Sequence, residues 1–115
     1  MPLFNLFTSA ELPAERTAWL KKLSALLAHA LDKPEEYVMV LVNPRPDMTF
    51  GGTSAPACYA ELKNVGKLST AEVEALSRKL CAELSAGLSV PANRIYIEFT
   101  NADGALWGWD GSTFG

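Results

Sequence analysis

Pro2 is the residue whose position is best suited to chemistry. Initiator methionine is generally removed when the second residue is small, and Met1-Pro2 meets this condition. The mature chain would then begin with a secondary amine, and an α-amino group has an ordinary pKa of ~7.7–8.0. Burial against Leu3, Tyr96 and other aromatic neighbours would lower that pKa, and an amine that is neutral near pH 7 is a suitable general base. Met-Pro is also an ordinary start of a chain, so Pro2 needs support from other residues.

Lys33 is a second candidate, because only one of the two halves of the chain has a charged residue at this position. It lies just past the first predicted helix, whereas the equivalent residue of the second half is Val90. Lys33 could bind a carboxylate as a point charge. The alternative is a solvated lysine that satisfies carbonyl groups at the end of the helix.

Two glycine- and aromatic-rich segments have open interpretations. Phe50-Gly51-Gly52-Thr53-Ser54 could hold an anion with its backbone amides, or it could be a tight turn. The C-terminal residues Trp107, Trp109 and Phe114 could line a pocket for an aromatic ligand, or they could cover a subunit interface.

The remaining reactive residue types exclude several classes of site. The chain has one histidine, His29, and no nucleophile signature, so a catalytic triad is unsupported. Cys58 and Cys81 are too few for a disulfide scaffold, and with one histidine they make a structural zinc site improbable. Position 61 is Glu61, so no CxxC redox motif exists, and we expect both cysteines to be buried apolar residues.

Composition indicates one globular domain spanning residues 1–115. The chain has a net charge of −3, and its basic residues are scattered, which argues against nucleic acid as a partner. No apolar run approaches the ~18–20 residues of a membrane span, so we expect no membrane insertion. The N-terminus lacks the features of a signal peptide, and the sequence therefore predicts a cytoplasmic protein.

Hydrophobic periodicity predicts strand, helix and strand, repeated once. The first half has a strand at 2–7, a helix from Pro13 to 31, and a continuous apolar strand at 37–42 that should be buried on both faces. Lys33-Pro34 should stop the helix. The second half has a strand at 57–62, a helix that begins with the capping box 69–72 and ends near Gly87, and a strand at 95–99.

The two halves also match each other. A shift of 57 residues superposes Lys22 on Lys79, Leu27 on Leu84 and the elements on one another, giving pseudo-repeats of about 1–57 and 58–115. The predicted fold is therefore α+β, an α/β sandwich. It consists of a duplicated βαβ unit whose four-stranded mixed sheet carries both helices on one face. The other face then needs a cover, which predicts self-association.

The chain resembles the macrophage migration inhibitory factor and D-dopachrome tautomerase family along its whole length. The residues that carry the resemblance are Met1-Pro2, Lys33-Pro34 with Tyr37, FGGTS at 50–54, Val65-Gly66-Lys67, Arg94-Ile95-Tyr96-Ile97 and GWDGSTFG at 108–115. The resemblance implies a homotrimer with a pocket at each subunit boundary. It also implies keto–enol tautomerisation of phenylpyruvate-type α-keto acids and isomerisation of dopachrome analogues, with no metal or organic cofactor.

The resemblance also implies a role for each matching residue. Pro2 would be the catalytic base, Lys33 would hold the substrate carboxylate, and the Val65 backbone would donate a hydrogen bond. The aromatic slot would be lined by Tyr37, Trp109, Phe114 and, from a neighbouring subunit, Tyr96. An alternative implied role is that of a cytokine-like ligand, released without a signal peptide and bound by a cell-surface receptor.

Three positions depart from the family pattern. Glu98 stands where an amide side chain is common in the pocket, and its carboxylate would repel a substrate carboxylate. Trp107 replaces a smaller residue, which predicts a narrower slot. Glu61 interrupts the family's CxxC, so thiol oxidoreductase activity is not expected.

Overall fold

Four long strands form a single mixed sheet. The computed structural model describes all residues, 1–115. β1 (Leu3–Thr8), β2 (Met39–Pro44), β3 (Cys58–Val65) and β4 (Ile95–Ala102) lie in the order β2-β1-β3-β4. β1 is parallel to β2, β3 is parallel to β4, and β1 and β3 are antiparallel neighbours. Two βαβ units are thus joined through their first strands, which confirms the predicted fold.

Both helices, α1 (Arg16–Leu31) and α2 (Thr70–Leu88), pack on one face of this sheet. In β1 every second residue is buried, as expected for a strand with one covered face. The inward strand residues and the helix leucines form one cluster, whose fully buried members include Phe4, Leu6, Leu23, Leu27, Leu62, Leu80 and Leu84. The apolar stripes that predicted the helices are therefore the stripes that build the core.

The predicted beginning of α1 is wrong, and its predicted end at Leu31 is confirmed. Pro13 lies outside the helix, which begins at Arg16 with Glu15 as its N-cap, and the preceding Leu12 packs against the core. At the other end the helix ends at Leu31, and its C-cap Asp32 has a left-handed backbone with φ 51°. The N–H of Lys33 then donates to the Ala28 carbonyl at 3.0 Å, so the helix has ended before Lys33-Pro34.

The predicted start of α2 is confirmed and its predicted end is wrong. Ser69 Oγ accepts from the Glu72 N–H at 3.2 Å, and a Glu72 carboxylate oxygen accepts from the Ser69 N–H at 3.1 Å. Gly87 is not the C-cap, since the helix continues to Leu88 and Ser89 adopts the left-handed capping conformation. Gly87 instead faces the indole of Trp19, and a β-carbon on it would lie 2.9 Å from Trp19 Cε2. Close packing of the two helices requires glycine here.

The substitution Gly87→Ala should therefore destabilise the protein. Helix propensity alone favours alanine by ~1 kcal/mol. The buried and rigid Trp19 ring cannot yield without repacking, which costs ~1–3 kcal/mol. We expect a lower midpoint of urea unfolding at fixed protein concentration. In a Trp19→Leu background, where the indole is absent, Gly87→Ala should cost less stability than it does in the wild-type protein. A Gly87→Ala single variant that is more stable than wild type would contradict the packing argument.

The prediction that the apolar segment 37–42 is a strand buried on both faces is wrong. Residues Glu35–Tyr37 form a short 3-10 helix, and β2 begins at Met39, whose side chain is 61% exposed. β2 lies at one edge of the sheet. Its side chains that point away from the helices are not covered by another element of the same chain. The predicted strands 57–62 and 95–99 are also longer in the structure, where they extend to Val65 and Ala102.

The C-terminal segment contains a hairpin that sequence periodicity did not predict. β5 (Gly108–Trp109) and β6 (Ser112–Thr113) pair antiparallel, with Asp110 and Gly111 both at positive φ in the turn. This conformation at both central residues suits a two-residue Asp-Gly turn. Neither helix combines the length and the apolar character needed to cross a bilayer.

Candidate active site

Pro2 lies at the wall of a pocket of about 250 Å³ at the beginning of β1 and β2. Its side chain is fully buried, and its carbonyl oxygen accepts a hydrogen bond from the Met39 N–H at 3.0 Å. Three separate parts of the chain line this pocket, namely residues 1–3, 36–39 and a C-terminal part within 107–114, and most of the lining residues are hydrophobic. The first residues of the chain are thus held in place by the sheet, inside an apolar cleft.

An aromatic cluster forms one side of this pocket. The ring of Tyr37 meets Trp109 edge-on at 5.3 Å and Phe114 edge-on at 6.0 Å, while Trp109 and Phe114 stack at 5.6 Å. The C-terminal hairpin positions both C-terminal rings. The N–H of Phe114 donates to the carbonyls of Gly104 and Trp107, which fixes the chain end against the pocket. The structure places the C-terminal aromatic rings at the wall of this pocket, as the first of their two interpretations predicts.

The electrostatics of the pocket favour a neutral amine. Burial, and secondly the positive charge of Lys33, lower the pKa of the Met1 α-amino group. Lys33 is half-buried and lies close enough to the chain's first residues for its charge to act there. An amine with a lowered pKa beside a cation can remove a proton from a carbon next to a carbonyl, and the cation can stabilise the resulting anion.

Val65 lies beside this pocket and lines a second, more open cavity of about 530 Å³. Leu3 is paired with Lys63 in the antiparallel β1–β3 ladder, and continuing that register places the start of the chain opposite Val65. Phe114 lines both cavities and forms the wall between them. The structure therefore brings Pro2, Tyr37, Trp109 and Phe114 together, with Lys33 and Val65 adjacent.

Tyr96 and Glu98 do not reach this pocket within one chain. They lie on β4, the opposite edge of the sheet from β2, with their side chains on the face that the helices leave uncovered. Tyr96 is 63% exposed, and Glu98 accepts a hydrogen bond from the Thr100 hydroxyl at 2.6 Å. Glu98 also lies opposite Glu61 in the β3–β4 register. A role for either residue in a Pro2 pocket needs a second copy of the chain.

Sequence reasoning missed three residues that line the pocket beside Tyr37, namely Glu36, Val38 and Met39. Met39 stood inside the apolar segment taken as a buried strand, so no signal separated it from the core. Trp107 was expected to narrow the slot, and it does lie at the pocket.

The other reactive residue types lie away from the pocket. Cys58 is buried on β3, its thiol donates to Thr8 Oγ1 at 3.4 Å, and burial raises its pKa. Burial also raises the pKa of the half-buried Cys81 thiol. His29 is exposed on α1. No group of three or more His, Cys, Asp or Glu side chains is arranged to hold a metal ion.

Comparisons with known proteins match the entire chain. The family model for macrophage migration inhibitory factor (MIF) matches residues 1–115. A MIF homolog from Trichuris trichiura is 40% identical over 99% of this chain and 100% of its own length, and MIF from Rattus norvegicus is 37% identical over 99% of both. The crystal structure of a MIF homologue from Prochlorococcus marinus superposes with a TM-score of 0.94 at 41% identity, covering 98% of this chain and 99% of that chain.

Proposed function

The chain belongs to the macrophage migration inhibitory factor family, and from this membership and the pocket at Pro2 we propose that it is a keto–enol tautomerase. Its substrates are phenylpyruvate-type α-keto acids and dopachrome analogues. The observation that carries the proposal is the buried Pro2 in an apolar, aromatic-walled pocket. Burial and, secondly, the Lys33 charge lower the pKa of the Met1 α-amino group, and we expect the same surroundings to act on the Pro2 amine once Met1 has been removed. Those are the properties that abstraction of a proton next to a carbonyl requires.

In the proposed reaction Pro2 acts as the general base once Met1 has been removed. Its neutral nitrogen takes a proton from the carbon next to the keto group. The electron pair of that C–H bond forms the new carbon–carbon double bond, and the π pair of the carbonyl moves onto its oxygen. The resulting prolinium returns the proton to that oxygen, which gives the enol and restores the neutral amine. No metal or organic cofactor takes part in these steps.

The surrounding residues bind and orient the substrate. The Lys33 ammonium pairs with the substrate carboxylate, and the backbone N–H of Val65 donates a hydrogen bond to it. The aromatic cluster of Tyr37, Trp109 and Phe114 packs against the substrate ring. We propose a homotrimer in which Tyr96 of a neighbouring copy completes the slot, because that residue is exposed on the uncovered sheet face.

The test is phenylpyruvate tautomerisation by the Met-processed protein, followed through the ultraviolet absorbance of the enol. We expect enzyme-dependent conversion that is saturable and independent of added metal, and a chelator should leave the rate unchanged. Conversion no faster than in buffer would overturn the assignment of phenylpyruvate as a substrate.

A signalling role is the second candidate, and the naming of animal relatives as MIF supports it. In this proposal the protein acts as a cytokine-like ligand for a cell-surface receptor, and catalysis is residual or absent. The chain would be made in the cytoplasm and released without a signal peptide. An inactive wild-type protein with an intact fold would favour this second candidate.

Glu98→Gln should lower the KM for phenylpyruvate. The exposed carboxylate pairs with no cation within the chain, and in a neighbour's pocket it would repel the substrate carboxylate. An exposed charge is worth ~0–1 kcal/mol, which corresponds to a decrease in KM of up to about fivefold.

The methyl ester of phenylpyruvate, which lacks the charge, should show no such change. The matched variant Glu74→Gln, on the exposed face of α2, should behave as wild type. An unchanged KM for the acid would mean that Glu98 points away from the pocket.

A further inference from the structure

Arg94 holds the loop between β2 and β3 through four backbone carbonyl groups. Its Nε donates to the Pro56 carbonyl at 3.0 Å, and one terminal nitrogen donates to the Phe50 carbonyl at 3.1 Å. The other terminal nitrogen donates to the carbonyls of Thr53 at 3.3 Å and Ala55 at 2.9 Å. A planar guanidinium with several fixed donors can satisfy four acceptors at once, which a lysine ammonium with three donors cannot.

These bonds secure a tight turn that presents one aromatic ring. Phe50 and Thr53 exchange backbone hydrogen bonds at 3.0 and 3.2 Å. Between them Gly51 and Gly52 have φ values of 60° and 78°, the left-handed conformation that a two-residue hairpin turn requires. The FGGTS segment is therefore a turn, and its sequence serves the placement of Phe50.

Phe50 connects Arg94 to the exposed Tyr96. The guanidinium carbon of Arg94 lies 5.3 Å from the centre of the Phe50 ring, and that ring contacts the Tyr96 ring at a centroid distance of 4.7 Å. Phe50 packs its ring on that of Tyr96, which is 63% exposed and has Tyr59 as its cross-strand neighbour on β3. Arg94 contacts Phe50 twice, through a hydrogen bond to the Phe50 carbonyl and through its guanidinium over the Phe50 ring. The orientation of Tyr96 thus depends on a ring that Arg94 holds in place.

We propose that Arg94 and Phe50 are positioning residues that hold Tyr96 in the orientation needed to contact an aromatic substrate in the pocket of a neighbouring copy. This inference rests on the proposed tautomerase function. It assigns a substrate-selecting role to a turn that lies outside the Pro2 pocket of its own chain. Loss of the contact should weaken binding of a substrate ring and leave the proton transfer at Pro2 unchanged.

The kinetic test compares an aromatic with an aliphatic α-keto acid. Arg94→Ala and Phe50→Leu should each raise the KM for phenylpyruvate by about two- to tenfold, the range expected for one aromatic contact, with kcat within about twofold of wild type. The KM for 2-oxobutyrate, followed by deuterium exchange at C3, should not change. Phe50→Leu leaves the four carbonyl contacts in place, so it separates loss of the ring from loss of the loop. Arg94→Lys should not restore the wild-type KM, and Arg78→Ala, an exposed arginine of α2, should match wild type.

A second measurement tests the positioning directly and needs no activity. The chain has three tyrosines, so ring-labelled protein gives three sets of NMR signals, and Tyr96→Phe assigns one of them. In Arg94→Ala the Tyr96 ring signals should move toward those of an isolated tyrosine, while the Tyr37 signals stay in place.

Unmoved Tyr96 signals would overturn the positioning role, whatever the kinetics show. Equal losses with the aromatic and the aliphatic substrate would overturn the selecting role and indicate a general structural effect. A wild-type protein inactive toward both substrates would instead overturn the proposed tautomerase function, and with it the selecting role, whereas the NMR signals would still decide the positioning of Tyr96.

Discussion

A protein that retains Met1 should lose phenylpyruvate tautomerase activity by about 10²- to 10⁴-fold in kcat/KM, the usual contribution of a general base. With Met1 in place the Pro2 nitrogen is an amide and cannot accept a proton. The folded structure already accommodates Met1, with the Pro2 carbonyl bonded to β2 and the pocket formed. The loss would therefore report chemistry and not misfolding.

The variant Pro2→Gly tests the same base in a processed chain. Glycine is also followed by Met removal and keeps an amine, but it lacks the ring that fixes the nitrogen in the pocket. We expect a decrease in kcat/KM of about 10²-fold with a smaller change in KM, because orientation and not binding is lost. Equal oligomeric state and unfolding midpoint for the wild type and both altered proteins are the controls. Full activity of the Met1-retaining form would exclude Pro2 as the base.

Lys33→Ala should have the next largest effect on activity. A charge-assisted hydrogen bond contributes ~1.5–3 kcal/mol, so kcat/KM for phenylpyruvate should fall by about 10- to 100-fold, mostly through KM. Lys33→Arg keeps the charge and should lose less. Lys21→Ala changes an exposed lysine of α1 and should leave both constants unchanged. With the methyl ester of phenylpyruvate, which lacks the carboxylate, the effect of Lys33→Ala should shrink.

The same variant has a predicted signature in the pH profile. Burial and, secondly, the Lys33 charge lower the pKa of the Met1 α-amino group. In the processed chain we expect both to act on the Pro2 amine, which would then stay neutral and competent as a base to lower pH. Removing the positive charge relieves one of these two effects, so the pKa of the base should rise. The acidic limb of the kcat/KM profile should then move to higher pH in Lys33→Ala but not in Lys33→Arg. A shift to lower pH would contradict this electrostatic account.

The sequence alone determined the two helices and the duplicated βαβ units, because hydrophobic periodicity is a local property. Apolar residues spaced by three and four predicted both helices, and the capping box placed the start of α2 at the correct residue. The internal repeat predicted two βαβ units, and the motifs around Pro2, Lys33 and the C-terminus identified the family that the comparisons show. Each of these signals is carried by residues close together in the chain or by a fixed shift between its halves.

The tertiary structure alone decided what the C-terminal aromatics do and why certain glycines are present. Trp109 and Phe114 meet Tyr37 across more than 70 positions of sequence, and Gly87 faces Trp19 on the other helix. The separation of Tyr96 from Pro2 likewise follows from strand order, which places β4 at the far edge of the sheet. Periodicity tells which face of an element is apolar, but it does not tell which distant side chain that face will meet. The pocket is built from such distant contacts. The residue pattern by itself therefore left the C-terminal aromatics open between a pocket and an interface, and only the family resemblance placed Tyr37, Trp109 and Phe114 in one slot.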